Sequence, residues 1–198
     1  MSDREFITKS LKETAATIEG MIAGCTAELI TATDWIAAAI KKGNTLLLCG
    51  NGGSAADCQH ISTEFVVRLS AMTPRGALPA NALTTNTSTI TACANDFGFD
   101  MIFSRQVEAL GRSGDVLIAI STSGRSPNVV EAAKIAKAKG IKVIAFLGSQ
   151  KRDLGAISDL CLCIPSDNSQ NIQEGHITAG HLLVALVEAR LIAAGFGK

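Results

Sequence analysis

The sequence predicts an α/β fold in which a parallel five-stranded sheet is wrapped by helices and preceded by two N-terminal helices. Short apolar runs alternate with helical patterns from residue 45 to residue 165, an order that favours parallel strands joined by crossover helices. Two of these runs pass directly into loops rich in glycine, serine or threonine. Ligands of such sheets bind at the carboxyl ends of the strands, so we expect both loops to face one crevice.

The composition fits one domain that belongs to an oligomer. The 198 residues carry 18 Lys+Arg and 18 Asp+Glu, so no excess charge favours nucleic acid or an anionic membrane surface as a partner. A hydrophobic fraction of 47% leaves surplus apolar surface to bury between subunits. The six cysteines form no C-x-x-C pair, which favours reduced core thiols. The polar N-terminus and the absence of an apolar run of membrane-spanning length predict a cytoplasmic protein.

The first part of the chain predicts helices followed by a strand and a glycine-rich loop. Residues 4–42 show two helical patterns, and Gly43 follows two lysines that mark the end of the second. The strand predicted over residues 45–49 runs into residues 50–54 (GNGGS), whose glycines let the backbone approach a ligand closely. This glycine spacing fits neither G-x-G-x-x-G nor G-x-x-x-x-G-K-[ST], which disfavours those two nucleotide folds.

The helix predicted over residues 55–68 carries a possible functional pair. His60 and Glu64 are four residues apart and therefore lie on one face of this helix. Such a pair can share a metal ion or handle a proton, although it is more often an ordinary helix contact. Arg68, one turn further on, could hold an anionic or hydroxyl-rich ligand, or could simply end the helix in solvent.

The middle of the chain predicts a short strand over residues 81–84 and helices over residues 89–94 and 101–110. Asn95 and Asp96 fall between these helices, in a segment that we expect to form a turn. Their side chains could bind sugar hydroxyls, but turn formation is the ordinary role of such residues.

The central strand, residues 116–120, leads into a cluster of hydroxyl groups that precedes a helix over residues 129–139. Unpaired N–H groups at a helix start and the helix dipole favour a dianionic phosphate, and the hydroxyls add neutral donors. The alternative is a capping loop with ordinary serines. The cluster consists of Ser121, Thr122, Ser123 and Ser126, with Gly124 among them.

Strands over residues 142–148 and 159–165 precede a final helix from residue 169 to about residue 194. Gln173 and His181 lie on this helix, roughly 12 Å apart along its axis, so one straight helix cannot easily aim both at one ion. Either the first turn is bent, or different subunits contribute the two side chains. Periodicity alone does not decide whether His176 or His181 is functional.

Three spaced motifs, GNGGSAADCQHISTEF, ANDFGFDMIFSRQVEALGRSGDVLIAISTSGRSPNV and NIQEGHITAGH, together resemble the sugar isomerase (SIS) domain family, and within it the phosphoheptose isomerases. The resemblance implies a three-layer αβα sandwich and a single SIS domain over residues 1–198. Its parts are the N-terminal helices (1–43), the sheet core (44–166) and the C-terminal helix (167–198). It also implies a homotetramer with sites at subunit interfaces.

The activity implied by the resemblance is an aldose–ketose isomerisation through an enediol(ate), which converts sedoheptulose 7-phosphate to D-glycero-D-manno-heptose 7-phosphate. This is the first step of heptose synthesis for lipopolysaccharide or other surface glycans. Glu64 would be the base, His181 the acid/base group for the hydroxyl proton, and Asp96 a positioning or proton-handling group. One zinc ion per subunit would be held by His60, Glu64, Gln173 and His181. The substrate-binding residues implied are Asn51, Gly52, Gly53, Ser54, Glu64, Arg68, Asn95, Asp96, Ser121, Thr122, Ser123, Ser126 and Gln173.

The sequence departs from this family at two places. Residues 149–154 (SQKRDL) lack a glycine-rich turn, and Gly180 is smaller than the usual aliphatic residue, which could loosen helix packing beside the site. Two alternatives stay open. One is a non-catalytic SIS tetramer that binds the replication initiator protein, a relative that lacks the carboxylate and histidine found here as Glu64 and His181. The other is an isomerase of another ketose phosphate, which the fold alone does not exclude.

Overall fold

The computed structural model describes residues 1–196, so the last two residues of the predicted C-terminal segment lie outside it. Within that range the chain forms a five-stranded sheet surrounded by helices. In chain order the elements are α1 (Asp3–Lys41), β1 (Leu46–Gly50), α2 (Gly53–Val66), β2 (Ala80–Ala82), α3 (Thr87–Phe97), a 3₁₀ helix (Phe99–Met101), α4 (Ser104–Leu110), β3 (Val116–Ser121), α5 (Pro127–Ala138), β4 (Lys142–Leu147), α6 (Arg152–Ile157), β5 (Leu160–Cys163) and α7 (Ser169–Ala193).

The sheet is parallel throughout and has the strand order β2-β1-β3-β4-β5. Alternate residues of a strand face opposite sides, and both sides of β1 are buried. Leu46 and Leu48 pack into a core shared with α1, α2 and α7. Leu47 and Cys49 pack into a second core shared with α4, α5 and α6. This arrangement confirms the predicted three-layer αβα sandwich with a parallel five-stranded sheet.

The N-terminal region is helical as predicted, but it is one helix of 39 residues and not two. Its start is fixed by a capping box, in which the Ser2 hydroxyl accepts a hydrogen bond from the Glu5 N–H and the Glu5 carboxylate accepts one from the Ser2 N–H. Buried Met21, Cys25 and Leu29 follow one another at intervals of four residues, so a single apolar stripe crosses the expected boundary. No proline interrupts it.

Two helix boundaries near the predicted site also differ, and one short helix was not predicted. Helix α2 ends at Val66, so Arg68 lies beyond the helix. Helix α3 extends to Phe97 and ends at Gly98, whose φ of 90° no helix accommodates, so Asn95 and Asp96 are helical and not in a turn. The six-residue helix α6 forms in the segment that lacks the glycine-rich turn.

Helix α7 contradicts the expectation that no apolar stretch reaches membrane-spanning length. Among the described residues it is the one helix that is long and apolar enough to cross a membrane by length and composition. Its buried residues, such as Leu183, Val184 and Val187, belong to the core shared with α1 and α2. A helix in the core of a folded domain meets the same two criteria, so length and composition are weak evidence for a membrane span.

All six cysteines are free, four of them buried, in agreement with the prediction of core thiols. Cys49 is the last residue but one of β1, just before the glycine loop, and burial raises the pKa of its thiol to about 12. Burial also raises the pKa of the Cys58 thiol on α2. Both groups therefore stay protonated near neutral pH, which makes them poor nucleophiles and poor metal ligands.

Candidate active site

Three side chains from two helices meet at one point. The Nε2 atoms of His60 on α2 and His181 on α7 are 3.0 Å apart. One carboxylate oxygen of Glu64, Oε1, lies 3.1 Å from His60 Nε2 and 3.5 Å from His181 Nε2. The two imidazole rings meet edge to face. We call this group the His60/Glu64/His181 triad.

Close packing of α2 against α7 brings the triad together. A Cβ atom added to Gly180 would lie 2.5 Å from Ile61 Cδ1 and 2.7 Å from Ile61 Cγ1. The missing side chain of Gly180 therefore makes room for Ile61, and each of these residues is the chain neighbour of a triad histidine. The expectation that Gly180 loosens the helix packing is wrong, because Ile61 fills the space and is fully buried.

The triad has the donor set and the spacing of a metal site. Two imidazole nitrogens and a carboxylate oxygen lie within 4.8 Å of one another. Zinc bound tetrahedrally at 2.0–2.1 Å separates its donor atoms by about 3.3 Å. The observed separations of 3.0, 3.1 and 3.5 Å fit the edges of such a tetrahedron. The residues present can therefore hold a metal ion.

The two oxygens of Glu64 have different surroundings. Oε1 faces the two histidines, whereas Oε2 is buried and has no hydrogen-bond partner among the described residues. The side chain is only 13% exposed. A carboxylate with one oxygen beside two imidazoles and the other oxygen unpartnered keeps the capacity to accept a proton from a bound ligand.

Gln173 does not join the triad within one chain. Residues 169–193 form one α-helix, so the bent first turn that the sequence left open is not found. The Gln173 amide instead lies against Gly53, where a Cβ atom would be 2.6 Å from its Nε2. Gly53 is seven residues before His60 on α2, about 10 Å along the helix axis.

The hydroxyl cluster after β3 turns its side chains towards one another. The Ser121 Oγ lies 3.0 Å from Ser126 Oγ and 3.5 Å from Ser123 Oγ. Ser126 is the N-cap of α5, yet its side chain makes no capping hydrogen bond. A capping loop would direct this hydroxyl to the helix N–H groups, so the geometry favours the phosphate-binding alternative. We call residues 121–126 the hydroxyl cup.

The two predicted loops are joined by a pair of amide side chains. Asn51 Nδ2 donates to Asn128 Oδ1 (2.9 Å), and Asn128 Nδ2 donates back to Asn51 Oδ1 (2.8 Å). Asn128 is buried in the first turn of α5, and sequence reasoning missed it because nothing marks its partner across 77 residues. The pair places both loops at one edge of the sheet, as predicted. It also occupies the side-chain amide of Asn51, which was expected to bind the sugar.

The other predicted residues take separate positions. Ser54 is buried below the glycine loop, and Gly52, in that loop, has a φ of 56°. Asn95 and Asp96 are exposed at the end of α3, where Asn95 Nδ2 donates to Asp96 Oδ1 (2.8 Å). Asp96 lines a cavity of about 570 Å³ between β2, α3 and α4, and no hydrogen bond joins it to the triad in residues 1–196. Within one chain, Asp96 is not part of the triad.

Comparison with known proteins identifies the family. The profile of the SIS domain matches residues 11–148. A phosphoheptose isomerase of Burkholderia pseudomallei is 46% identical over 205 residues and covers all of both chains. One from Rhodospirillum rubrum is 46% identical over 179 residues, covering 90% of this chain and 94% of that protein.

The chain belongs to the SIS domain family. Solved structures agree with this assignment. A phosphoheptose isomerase structure from Neisseria gonorrhoeae has a TM-score of 0.89 and 37% identity, over 95% of this chain and 100% of that one. One from Francisella tularensis has a TM-score of 0.91 and 32% identity, over 96% of this chain and 100% of that one.

In this SIS domain, a buried ion pair holds the backbone of the triad residue Glu64. Sequence reasoning missed this pair. Arg75 Nε donates to Glu188 Oε1 of α7 (2.6 Å), and Arg75 Nη2 donates to the backbone carbonyl of Glu64 (2.6 Å). The side chains of Arg75 and Glu188 are 2% and 4% exposed. A glutamate within the apolar stripe of α7 was the available signal, since buried carboxylates are almost always paired.

The structure also separates the two histidines of α7. His176 is fully buried, and its Nε2 lies 3.1 Å from the Leu147 carbonyl at the end of β4. Burial lowers the pKa of His176 to about 4, opposed by the hydrogen bond to Leu147. His176 is therefore a neutral core residue, and His181 is the α7 histidine that reaches the triad.

Proposed function

We propose that this SIS domain is a sugar-phosphate isomerase that converts sedoheptulose 7-phosphate to D-glycero-D-manno-heptose 7-phosphate. Relatives named phosphoheptose isomerase match its whole length at 46% identity. The observation that carries the proposal is the contact of Glu64 with His181, 3.5 Å apart, because an aldose–ketose isomerisation needs a base and a second proton carrier side by side. The non-catalytic SIS alternative requires neither residue.

The chemistry moves two protons. Glu64 takes a proton from C1 of the ketose, which leaves an enediol(ate), and returns a proton to C2 to form the aldose. His181 moves the hydroxyl proton from O1 to O2, so that the carbonyl passes from C2 to C1 and no atom is gained or lost. Glu64 is suited to the carbon proton because its side chain is only 13% exposed, its Oε2 has no hydrogen-bond partner among the described residues, and its Oε1 lies 3.5 Å from His181 Nε2. Asp96 is proposed to position the substrate or handle a proton.

We propose zinc, one ion per subunit, as the metal of the triad. His60, Glu64 and His181 supply three donors, and Gln173 is the proposed fourth. When bound, the ion would polarise the oxygen that becomes the enolate and stabilise its charge. The surrounding residues orient these donors, since the Arg75 guanidinium binds the backbone carbonyl of Glu64.

The remaining proposed contacts divide the substrate between two groups of residues. The hydroxyl cup would bind the phosphate through Ser121, Thr122, Ser123 and Ser126. Its serines point at one another and have few other partners, so a phosphate can take their donors. The sugar would lie near Asn51, Gly52, Gly53, Ser54, Glu64, Arg68, Asn95, Asp96 and Gln173.

A homotetramer with interfacial sites is the proposed assembly. The exposed face of α1 carries Phe6, Leu11 and Ile22, which are 58%, 66% and 71% exposed, an apolar surface that association would cover. Gln173 is about 12 Å along α7 from His181, so a Gln173 that reaches the triad would come from a second subunit. Light scattering on the purified protein measures the mass that tests this.

The proposed place of the reaction is the first step of heptose synthesis for lipopolysaccharide or other surface glycans. A cytoplasmic location agrees with six free cysteines, since disulfides form and persist mainly in oxidising compartments. Nothing in the balanced charge favours nucleic acid as a partner.

Proton NMR of the purified protein with sedoheptulose 7-phosphate tests the activity. We expect aldoheptose phosphate signals that disappear on addition of a chelator and in Glu64→Gln. Glu131→Gln, which removes an exposed carboxylate of α5, is the matched control and should keep full turnover. Failure of folded, zinc-supplemented wild type to turn over this ketose would overturn the assignment. Other ketose phosphates would then be tested, followed by the replication initiator protein.

A further inference from the structure

A polar cavity adjoins the hydroxyl cup on the side of β4 and β5. It has a volume of about 240 Å³ and lies between the loops that follow β3, β4 and β5. Thr122 and Ser123 of the cup form one wall, and the start of α7 forms another. Arg125 and Arg152 also line the cavity, so a site lined by two arginines shares a wall with the proposed phosphate site.

Arg152 has an unusual backbone conformation. Its φ is 46°, and among the described residues it is the one residue other than glycine with a positive φ. A side chain in this region costs about 1 kcal/mol relative to glycine. Residues 149–154 lack the expected glycine-rich turn, so an arginine occupies a conformation that glycine would adopt without strain. Strained residues of this kind persist where the surroundings hold them, and they cluster at ligand sites.

The surroundings hold Arg152 against the cup. The Leu154 N–H donates to the Gly124 carbonyl (3.0 Å), and the Gly148 N–H donates to the Thr122 carbonyl (3.2 Å). A Cβ atom added to Gly124 would lie 3.1 Å from Arg152 Cβ. The turn after β4 and the cup therefore form one packed unit, and a displaced Arg152 would disturb the cup directly.

Both guanidinium groups are available to a ligand. Arg125 and Arg152 are exposed, and neither forms a side-chain hydrogen bond or ion pair within residues 1–196. The cavity has one carboxylate, Asp167, and it accepts a hydrogen bond from the Ser149 hydroxyl. The cavity is therefore lined by two positively charged arginines and one negatively charged carboxylate, and that carboxylate already accepts a hydrogen bond. This excess of positive charge favours an anionic ligand.

We propose that Arg125 and Arg152 form a second anion subsite, so that the cup and the cavity together bind a ligand with two neighbouring phosphoryl groups. The chemical class is a diphosphate. The inference rests on the proposed function only in assigning a phosphate to the cup. A monophosphorylated substrate uses the cup alone, whereas a diphosphate occupies both sites and competes with it.

Calorimetry with inorganic phosphate and inorganic diphosphate tests the subsite. The protein is first freed of metal with a chelator, because diphosphate itself binds zinc. We expect wild type to bind diphosphate at least tenfold more tightly than phosphate. Equal affinities for the two anions would overturn the proposal.

Arg152→Gly is the decisive variant because glycine favours a φ of 46°, so the turn keeps its conformation while the guanidinium is lost. We expect its diphosphate affinity to fall about tenfold and its phosphate affinity to change less than twofold. Arg125→Gln should act in the same direction. Arg112→Gln, an exposed arginine before β3, is the charge-matched control and should bind both anions as wild type does.

Two other results would overturn the subsite. An unchanged ratio of the two affinities in Arg152→Gly would show that the cavity binds no second phosphoryl group. An equal loss for both anions would make Arg152 a part of the cup. Both readouts are independent of turnover, so absence of isomerase activity in wild type would refute the proposed function and leave the binding result intact.

Discussion

The triad and the hydroxyl cup are the two parts of the proposed active site, and they are built in different ways. The cup comes from six consecutive residues, from the last residue of β3 to the residue before α5, and the strand and the helix start fix its geometry. The triad comes from two helices, and His60 and His181 are separated by 121 residues in the chain. Their contact depends on the packing of α2 against α7, through Gly180 and Ile61, and on the Arg75–Glu188 pair behind it.

This difference predicts which substitutions change the geometry of the triad and which change that of the hydroxyl cup. A change in the helix interface moves the triad atoms although it touches none of them, because close-packed interiors transmit strain. The cup is insulated from such changes, since its backbone continues directly from a central strand that is buried on both sides.

The largest effect is expected for Arg75→Ala. This change leaves Glu188 buried without a partner and frees the Glu64 carbonyl, so the free energy of unfolding should fall by about 3–5 kcal/mol. Urea unfolding followed by circular dichroism measures it. Lys134→Ala breaks an exposed pair with Glu131 and should cost at most about 0.5 kcal/mol. Similar losses in both variants would contradict a supporting role for the buried pair.

Gly180→Ala should separate the two histidines. Its new Cβ atom would lie 2.5 Å from Ile61 Cδ1, an overpacking that costs about 2 kcal/mol of stability and pushes α7 from α2. Zinc affinity, measured by competition with a chromogenic chelator, should fall about tenfold.

Two further variants separate the effect of helix propensity from that of the close contact. Gly24→Ala in α1 has no atom within 4 Å of its new Cβ and should stabilise the protein by about 0.5–1 kcal/mol. Adding Ile61→Ala to Gly180→Ala should restore part of the zinc affinity. If the Gly180→Ala protein binds zinc as tightly as wild type, the close packing of Gly180 against Ile61 does not position the triad.

The free energy of unfolding should fall as the pH is lowered, because His176 is neutral in the folded protein and takes up a proton on unfolding. Its pKa is about 4 in the folded protein, below its ordinary value of 6.5, so between these pH values the unfolded chain binds more protons and acid favours unfolding. The contribution is full above pH 6.5 and decreases by about 2 kcal/mol between pH 7 and pH 5. Urea unfolding at several pH values should give a shallower dependence for His176→Gln than for wild type. Parallel curves for the two proteins would exclude His176 as the cause.

The same division between local and distant contacts explains what the sequence could predict. The strands, their parallel direction and the position of the hydroxyl cluster at the junction of β3 and α5 were predictable because each depends on local sequence patterns. The single α1 was missed because helical periodicity does not show where one helix continues through glycines such as Gly20 and Gly24. Asn95 and Asp96 were expected in a turn because both residue types favour turns, yet Gly98 ends the helix.

The triad was only partly predictable for the same reason. His60 and Glu64 share a helix turn, so their proximity followed from spacing. The choice between His176 and His181 depended on the orientation of α7 against α2, which no local pattern contains. The Asn51–Asn128 and Arg75–Glu188 pairs join residues 77 and 113 positions apart, and without a partner in view each residue resembled an ordinary polar side chain.

The smallest effect, expected for Ser126→Ala, decides between the two interpretations of the cup. The Ser126 hydroxyl lies 3.0 Å from Ser121 Oγ and makes no capping bond to α5, so its loss should change the free energy of unfolding by less than about 0.5 kcal/mol. The loss of one neutral donor to phosphate should raise KM about fivefold, or about 1 kcal/mol, with kcat unchanged. Steady-state kinetics and urea unfolding of the same preparation measure both quantities. A destabilisation of about 1–2 kcal/mol with an unchanged KM would instead identify Ser126 as a helix cap, because a capping hydroxyl supports the fold and not the ligand.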